Sequence, residues 1–312
     1  MKSVLNLTIK KRNTLIATVG NTPLLRLDRL ASHLSPKVAV FAKAEWFNPG
    51  GSVKDRPASS ILDGALKAEA LKEGRRLLDS TSGNMGIAYA TLGATLGVPI
   101  TLTIPSNASP ERMLILRALG AELMLSDPLE GSDGAIELAQ QLADEHPGDY
   151  YYADQYSNPA NWEAHYKTTG PEIWRQTEFE ISHFIAGLGT SGTLMGTGRF
   201  LREQKAEIEI IGFQPEGAFH GLEGLKHMPS SLQPGIYDPD FPDRLIAVST
   251  EDAYEMTRQL ALMEGLFVGV SSGAAAHIAL SVAEKLESGV VVTVFPDAGY
   301  KYMNEKFWEV EK

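Results

Sequence analysis

Apolar residues along this chain fall in short runs that alternate with stretches of helical spacing. VAVFAKAE, Val38 to Glu45, predicts a strand. From Pro57 to about Lys72 the apolar positions Ala58, Ile61, Leu62, Ala65 and Leu66 recur every three or four residues, which predicts an amphipathic helix. RRLLDS leads into a glycine-bearing turn, and Met85 to Leu96 reads as a helix of small residues. PITLTIP predicts a strand, Ser109 to Leu119 a helix, AELMLS a strand and Ser132 to Glu145 a helix. The second half repeats the style. HFIAGLG is a strand running into a turn, a helix starts at Thr193, and IEIIGFQP is a strand. Thr250 to Glu264 predicts a helix with Thr250 as its N-cap before Glu251 and Asp252. GLFVGV reads as a strand, Gly273 to Glu287 as a helix and GVVVTVFP as the last strand. Glu216 to Asp243 is rich in proline and glycine and lacks periodicity, so it reads as a long ordered loop, a kind that is often functional. The alternation of strand and helix predicts an α/β fold of parallel strands flanked by helices.

Composition narrows the class. A chain of 312 residues with 43% hydrophobic content can bury a large core, divided between two lobes. The formal net charge of -11 opposes phosphate backbones and anionic lipids, so neither nucleic acid nor membrane is an expected partner. The chain has no cysteine, which removes disulfides, thiolate nucleophiles and cysteine zinc sites; no metal is expected. The N-terminus MKSVLNLTIKKRNTL puts its basic cluster after a short apolar run, the reverse of a signal peptide. No window approaches the roughly 18 apolar residues of a membrane span. A soluble, cytoplasmic protein is expected.

In open α/β sheets ligands bind at the carboxyl ends of strands, so the strand-to-helix turns carry the candidate chemistry. STSGNMG, Ser80 to Gly86, offers hydroxyls, a glycine turn and an amide before a helix, which suits a carboxylate or phosphate; an ordinary helix cap is the plainer reading. GLGTSGT, Gly187 to Thr193, matches G-x-G-x-x-G and raises a dinucleotide site, hence a nicotinamide oxidoreductase. The acidic ribose partner of such a site is not well placed, since Gln214 is not acidic and Glu216 comes late. A turn dense in hydroxyls suits a single phosphate better. GVSSGAAA, Gly269 to Ala276, presents two serines at a third helix start. In NPGGSVKDRP, Asn48 to Pro57, Lys54 stands where the helix dipole disfavours a cation. Most such lysines are solvated surface charges. Beside a phosphate nest and a carboxylate turn, however, a lysine is what pyridoxal 5'-phosphate requires. Positive potential and desolvation would both favour the neutral, nucleophilic amine.

These motifs together resemble the cysteine synthase family, of the fold type II (tryptophan synthase β-like) pyridoxal-phosphate enzymes. The resemblance runs through TVGNTPLL, NPGGSVKDRPA, STSGNMGIA, ADQYSNPAN, GLGTSGT, GVSSGAA and PDAGYKY, nearly end to end. It implies two lobes, each a mostly parallel sheet flanked by helices, with the cofactor in the cleft. The small mobile lobe would be 45–154, and the large lobe 1–44 plus 155–312. It implies a homodimer; since the chain ends soon after PDAGYKY, no appended regulatory domain is expected. Lys54 matches the Schiff-base lysine, which also serves as the base at the substrate Cα. Asn84 matches the asparagine at the cofactor's 3-oxygen. Gly189, Thr190, Ser191, Gly192 and Thr193 match the phosphate loop. Ser271 matches the serine at the pyridine nitrogen, with Ser272 the alternative if the register slips by one. Thr81, Ser82, Gly83 and Gln155 match the groups that hold the substrate carboxylate. Two residues depart from the family pattern: Met85 replaces a threonine and Ser191 a common glycine.

The implied reaction is a β-replacement. An activated serine loses its β-substituent to give an aminoacrylate, and sulfide or another sulfur donor adds to yield L-cysteine. Both O-acetylserine and O-phosphoserine users share these motifs. The loop FHGLEGLKHMPSSLQPGIYDP resembles the phosphoserine-using branch, which has an arginine where Lys226 stands; His220 and His227 lie nearby in sequence. A solvated loop charge is the plain alternative for Lys226. Cystathionine β-synthase-like condensation of serine with homocysteine and an amino-acid dehydratase are the rival reactions with the same cofactor.

Overall fold

The structure, a computed structural model, describes residues 14–72, 74–81 and 83–309. The basic N-terminal cluster and Ser82 therefore lie outside the described residues. In chain order the first elements are β1 (Leu24–Arg26), β2 (Val38–Ala44) and α1 (Asp55–Lys67). Next come β3 (Arg76–Ser80), α2 (Asn84–Leu96), β4 (Ile100–Pro105), α3 (Pro110–Ala118), β5 (Glu122–Ser126), α4 (Gly131–Glu145) and β6 (Tyr150–Tyr152). Two short helices, α5 (Ala160–Lys167) and α6 (Thr169–Gln176), precede β7 (His183–Gly187), α7 (Gly192–Gln204) and β8 (Glu209–Pro215). The last are β9 (Arg244–Val248), α8 (Thr250–Gln259), α9 (Val270–Ala283) and β10 (Gly289–Phe295).

The chain divides into two compact units. The first holds the described residues up to Asn21 with Asn48–Asn161; the second holds Thr22–Phe47 and the described residues from Trp162 on. The first unit is built on a four-stranded sheet of order β5-β4-β3-β6, parallel throughout. Its apolar core joins Ile61 and Leu62 of α1 and Ile87, Ala88 and Leu92 of α2 to Leu77, Ile100 and Leu102 of the sheet. Helix α2 is small-residue because it lies close to its neighbours: a Cβ on Gly93 would stand 2.6 Å from Ile100 Cγ1.

The second unit carries a six-stranded sheet, β1-β2-β10-β7-β8-β9, in which only the β1–β2 pair is antiparallel. Strands β2 and β10 lie inside it, which explains their apolar runs, since interior parallel strands are covered on both faces. Helix α9 is buried along nearly its whole length.

The expected elements form, but helix α1 ends at Lys67 rather than near Lys72 and helix α9 at Ala283 rather than Glu287, and further differences follow. GLFVGV is not a strand: Val268 makes an isolated bridge to Ala298. Both neighbours of β10 are already taken by β2 and β7. Helix α9 accordingly starts at Val270 rather than at Gly273. Thr250 is not the N-cap of α8; Ser249 is, its Oγ accepting the Asp252 N–H at 3.0 Å. The helical run there widens into a π turn over Leu260–Glu264 and stops at Gly265, whose φ of 69° is left-handed. Strand β9, helices α5 and α6, and the short strands β1 and β6 are further elements that the apolar pattern did not announce. Strand β9 is an edge strand, exposed along most of its length, so burial imposed no alternation on it.

One buried polar network ties β2 to α6. Lys43 Nζ contacts Glu172 Oε2 at 2.7 Å, Thr22 O at 2.5 Å and Gln176 Oε1 at 2.9 Å. Thr22 Oγ1 in turn donates to Glu45 Oε1 at 2.7 Å. The ammonium donors meet protein acceptors, which offsets the cost of burying the charge. Lys43→Ala would remove the buried ion pair with Glu172. Urea denaturation of this variant is expected to show a loss of about 3–5 kcal/mol; a loss under about 1 kcal/mol would mean the pair behaves as a surface contact.

Candidate active site

Lys54 stands immediately before α1. The turn ahead of it is closed by Asp55, which is fully buried. Asp55 Oδ1 accepts the Gly50 N–H at 2.6 Å and Oδ2 the Ser52 N–H at 3.2 Å. Gly51, at φ 77°, makes the reversal possible. Asn48 anchors the turn, its Oδ1 accepting the Gly20 N–H at 2.8 Å. Ser52, Val53, Asp55 and Arg56 are buried while Lys54 is half-buried, so the lysine alone of these five retains substantial access. The carboxylate in the first turn also complements the helix dipole that disfavours a cation there.

In the same unit, β3 ends in the turn that opens α2. Thr81 Oγ1 accepts the Gly83 N–H at 3.1 Å and the Gly86 N–H at 2.9 Å. Gly83 sits at φ 159°, ψ -92°, a backbone only glycine adopts easily. Gly86 allows α2 to close on this turn, since a Cβ there would stand 2.7 Å from Thr81 Cγ2. Both lone pairs of the Thr81 hydroxyl are occupied, so what it still offers is its proton. Thr81 is thus the helix cap and also a donor. Asn84 is the first residue of α2 and half-buried. Gln155, buried after β6, donates Nε2 to Ser80 O at 2.5 Å and so lies against the same turn. The structure thereby gathers Thr81, Gly83, Asn84 and Gln155 at the carboxyl end of β3.

In the second unit, β7 runs into α7 through Gly187 to Gly192. Ser191 has φ 68°, in the left-handed region, and its Oγ is buried with no hydrogen-bond partner. Thr193 Oγ1 lies 3.3 Å from His165 Nε2, and His165 Nδ1 lies 2.9 Å from Thr169 Oγ1. His165 was not expected from the sequence; a contact spanning 28 residues leaves no local trace. The long loop packs beneath this turn. Lys226 N donates to Leu188 O at 2.7 Å, and a Cβ on Gly189 would stand 2.3 Å from Gly224 O. Lys226, for which a solvated loop charge was the plain alternative, is buried. Ser271 lies in the first turn of α9, and the Oγ of its neighbour Ser272 is sealed from solvent without a partner.

The family described as pyridoxal-phosphate dependent enzymes matches residues 15–297, nearly the whole chain. The chain belongs to that family. A cysteine synthase of Aquifex aeolicus is 54% identical over 299 residues, covering 94% of this chain and 91% of its own. Cysteine synthase B of Salmonella typhimurium is 44% identical over 292 residues, 94% of this chain and 95% of its own. Among solved structures, a cysteine synthase from Entamoeba histolytica superposes with a TM-score of 0.91 at 36% identity, covering 96% of this chain and 91% of that one. The α/β architecture is that of these enzymes, and the cofactor is pyridoxal phosphate.

The residues present fit that cofactor. An orphaned, buried Ser191 hydroxyl at a helix N-terminus is what a phosphate ester would satisfy. Among the described residues no cluster of three or more histidine or acidic side chains forms a metal site. No described helix is long and apolar enough to cross a membrane.

The left-handed Ser191 yields a direct test. A non-glycine residue there costs about 1–2 kcal/mol, whereas glycine loses about 0.5–1 kcal/mol more chain entropy on folding. In protein stripped of cofactor, Ser191→Gly is expected to gain about 1 kcal/mol in urea denaturation, helped by removal of the unpaired hydroxyl. A destabilised variant would show that Ser191 makes a structural contact instead.

Proposed function

We propose that this enzyme is a cysteine synthase, replacing the β-substituent of an activated serine, O-acetylserine or O-phosphoserine, with sulfur to give L-cysteine. The observation that carries the reading is the 54% identity with the Aquifex aeolicus cysteine synthase across 94% of the chain. Bound pyridoxal phosphate supplies an electron sink that acidifies the substrate Cα–H and allows the β-group to depart.

Lys54 holds the cofactor through its ε-amino group, and then takes the Cα proton and returns it after sulfur has added. Its support is the closed turn that buries its neighbours and leaves it access. Gly189, Thr190, Ser191, Gly192 and Thr193 hold the phosphate, with the orphaned Ser191 hydroxyl as the chief support. Asn84 holds the 3-oxygen. Ser271 serves the pyridine nitrogen with a neutral hydroxyl, which does not enforce a charge on the ring. Ser272, whose Oγ is likewise buried without a partner, is the alternative. Thr81, Ser82, Gly83 and Gln155 bind the substrate carboxylate; the Thr81 hydroxyl proton, left over after two accepted N–H bonds, supports this role. Lys226 reads a donor phosphate as a point charge. Its support is burial and the hydrogen bond that pins its backbone to Leu188, beside the phosphate turn. The same reading carries a homodimer, drawn from the family resemblance, in the cytoplasm, where a cysteine-free chain fits a reducing compartment.

Two measurements check these roles. Borohydride treatment of the purified yellow enzyme is expected to fix the cofactor on Lys54, and Lys54→Ala is expected to abolish fixation; retained fixation would transfer the role to another lysine. Lys226→Ala is expected to lower kcat/KM for O-phosphoserine about ten- to a hundredfold, about 1.5–3 kcal/mol, and to leave O-acetylserine nearly unchanged. An equal loss with both donors would remove Lys226 from donor selection.

A further inference from the structure

The carboxyl of Asp79 lies where β3 should present an apolar side chain. Side chains alternate along a strand, so Asp79 shares a face with Leu77. Leu77, Ile100 and Leu102 belong to the apolar core between the sheet and helices α1 and α2, and Leu102 is the register partner of Asp79. Asp79 is fully buried there. Burying a carboxyl in such a place is costly unless donors meet it. Its Oδ1 accepts the Ser80 N–H at 2.9 Å. The Tyr89 hydroxyl and the Gln155 N–H face it, while Oδ2 completes no hydrogen bond. The Gln155 side chain reaches back to Ser80 O at 2.5 Å, and Asn161 Nδ2 holds Gln155 O at 2.7 Å. Ser80 and Gln155 are thus held to each other around one buried acid.

We infer that Asp79 is a positioning residue for the substrate carboxylate: its carboxyl holds the Ser80 N–H and faces the Gln155 N–H, and so sets where the Thr81 hydroxyl and the Gln155 amide point. This rests on the reading that Thr81 and Gln155 bind that carboxylate. Asp79 does not touch substrate; it acts through its neighbours.

Protonation gives the device a pH range. Burial pushes the Asp79 carboxyl from its ordinary 3.8 up to about 8, against the opposing pull of Tyr89 and Ser80, with a further upward push from Asp154. The other titratable groups around it are Tyr89 of α2, Tyr151 and Tyr152 of β6, Tyr156 beyond β6 and Asp133 of α4. The three tyrosines Tyr89, Tyr152 and Tyr156 are held well above their ordinary value by burial first and by Asp79 next. None of these groups is a cation; only the Tyr89 hydroxyl and the Ser80 and Gln155 N–H groups favour the ionised acid, and burial outweighs them. A raised folded-state value means that the stability Asp79 contributes is complete below 3.8 and is lost as pH rises through about 8. Neutral Asp79 leaves the carboxylate turn free of repulsion; ionised Asp79 places a like charge behind it.

The test uses the holoenzyme with L-alanine, a non-reacting amino acid whose binding shifts the cofactor's absorbance. The wild-type Kd is expected to rise between pH 7 and pH 9, and Asp79→Asn, which cannot ionise, is expected to lessen that rise by about threefold or more. Superimposable pH profiles of the two proteins would overturn the proposal. Amide exchange reads the clamp without any ligand: Asp79→Leu is expected to speed exchange at Ser80 and Gln155 about three- to tenfold, and unchanged exchange would equally overturn it. Should Asp79→Leu fail to fold, the same exchange comparison is made with Asp79→Asn, which retains one acceptor and is expected to shift Gln155 more than Ser80. Thr81→Ala separates the two readings. If it binds L-alanine as wild type does, the carboxylate assignment fails, and the exchange data still judge the clamp.

Discussion

A parallel sheet delivers every strand's carboxyl end to the same edge, and each helix that follows begins there with N–H groups that no earlier turn can satisfy. Much else in this structure answers that constraint. After β3, Thr81 supplies an oxygen to two of the orphan N–H groups, and Gly83 and Gly86 let the chain pass close enough for it to do so. After β7, the turn at Ser191 takes a left-handed conformation to enter α7. The turns that solve a backbone problem are therefore the ones that suit an anion, and the proposed site uses them.

Buried polar groups follow a second logic. Lys43 lies in the interior with each of its donors matched, and its network joins β2 to α6 as a structural element. The Ser191 hydroxyl is buried and unmatched. A buried hydroxyl left unmatched at a helix start is one that an anionic ligand can satisfy. In this respect Asp79 belongs between Lys43 and Ser191: most of its environment is protein, yet one oxygen completes no bond. It makes sense as a group retained for the arrangement it imposes rather than for the stability it adds.

Asp55 shows how a motif divides its labour. In NPGGSVKDRP the lysine draws the attention, but the adjacent aspartate builds the turn through Gly50 and Ser52. A short flexible loop would cost Lys54 its orientation; closing that loop with a buried carboxylate removes most of its freedom before any ligand arrives.

Much of this protein was determined by local pattern. The apolar runs of β2, β4, β8 and β10, the spacing of α1 and the glycine-bearing turns at Gly83 and Gly189 are consequences of residue type at short range, and they were legible in the sequence. The turn motifs, taken in order, also pointed to the cofactor. Edge strand β9 was not legible, because exposure removes the alternation that burial would impose. GLFVGV has a strand's composition, but the positions on either side of β10 were already occupied, and only the assembled sheet decides that. The support His165 gives Thr193, the burial of Lys226 against Leu188 and the carboxyl buried at Asp79 are likewise tertiary facts. Each depends on which atoms stand within a few ångströms, and residues distant in sequence supply most of them, so a pattern read along the chain carries no record of them.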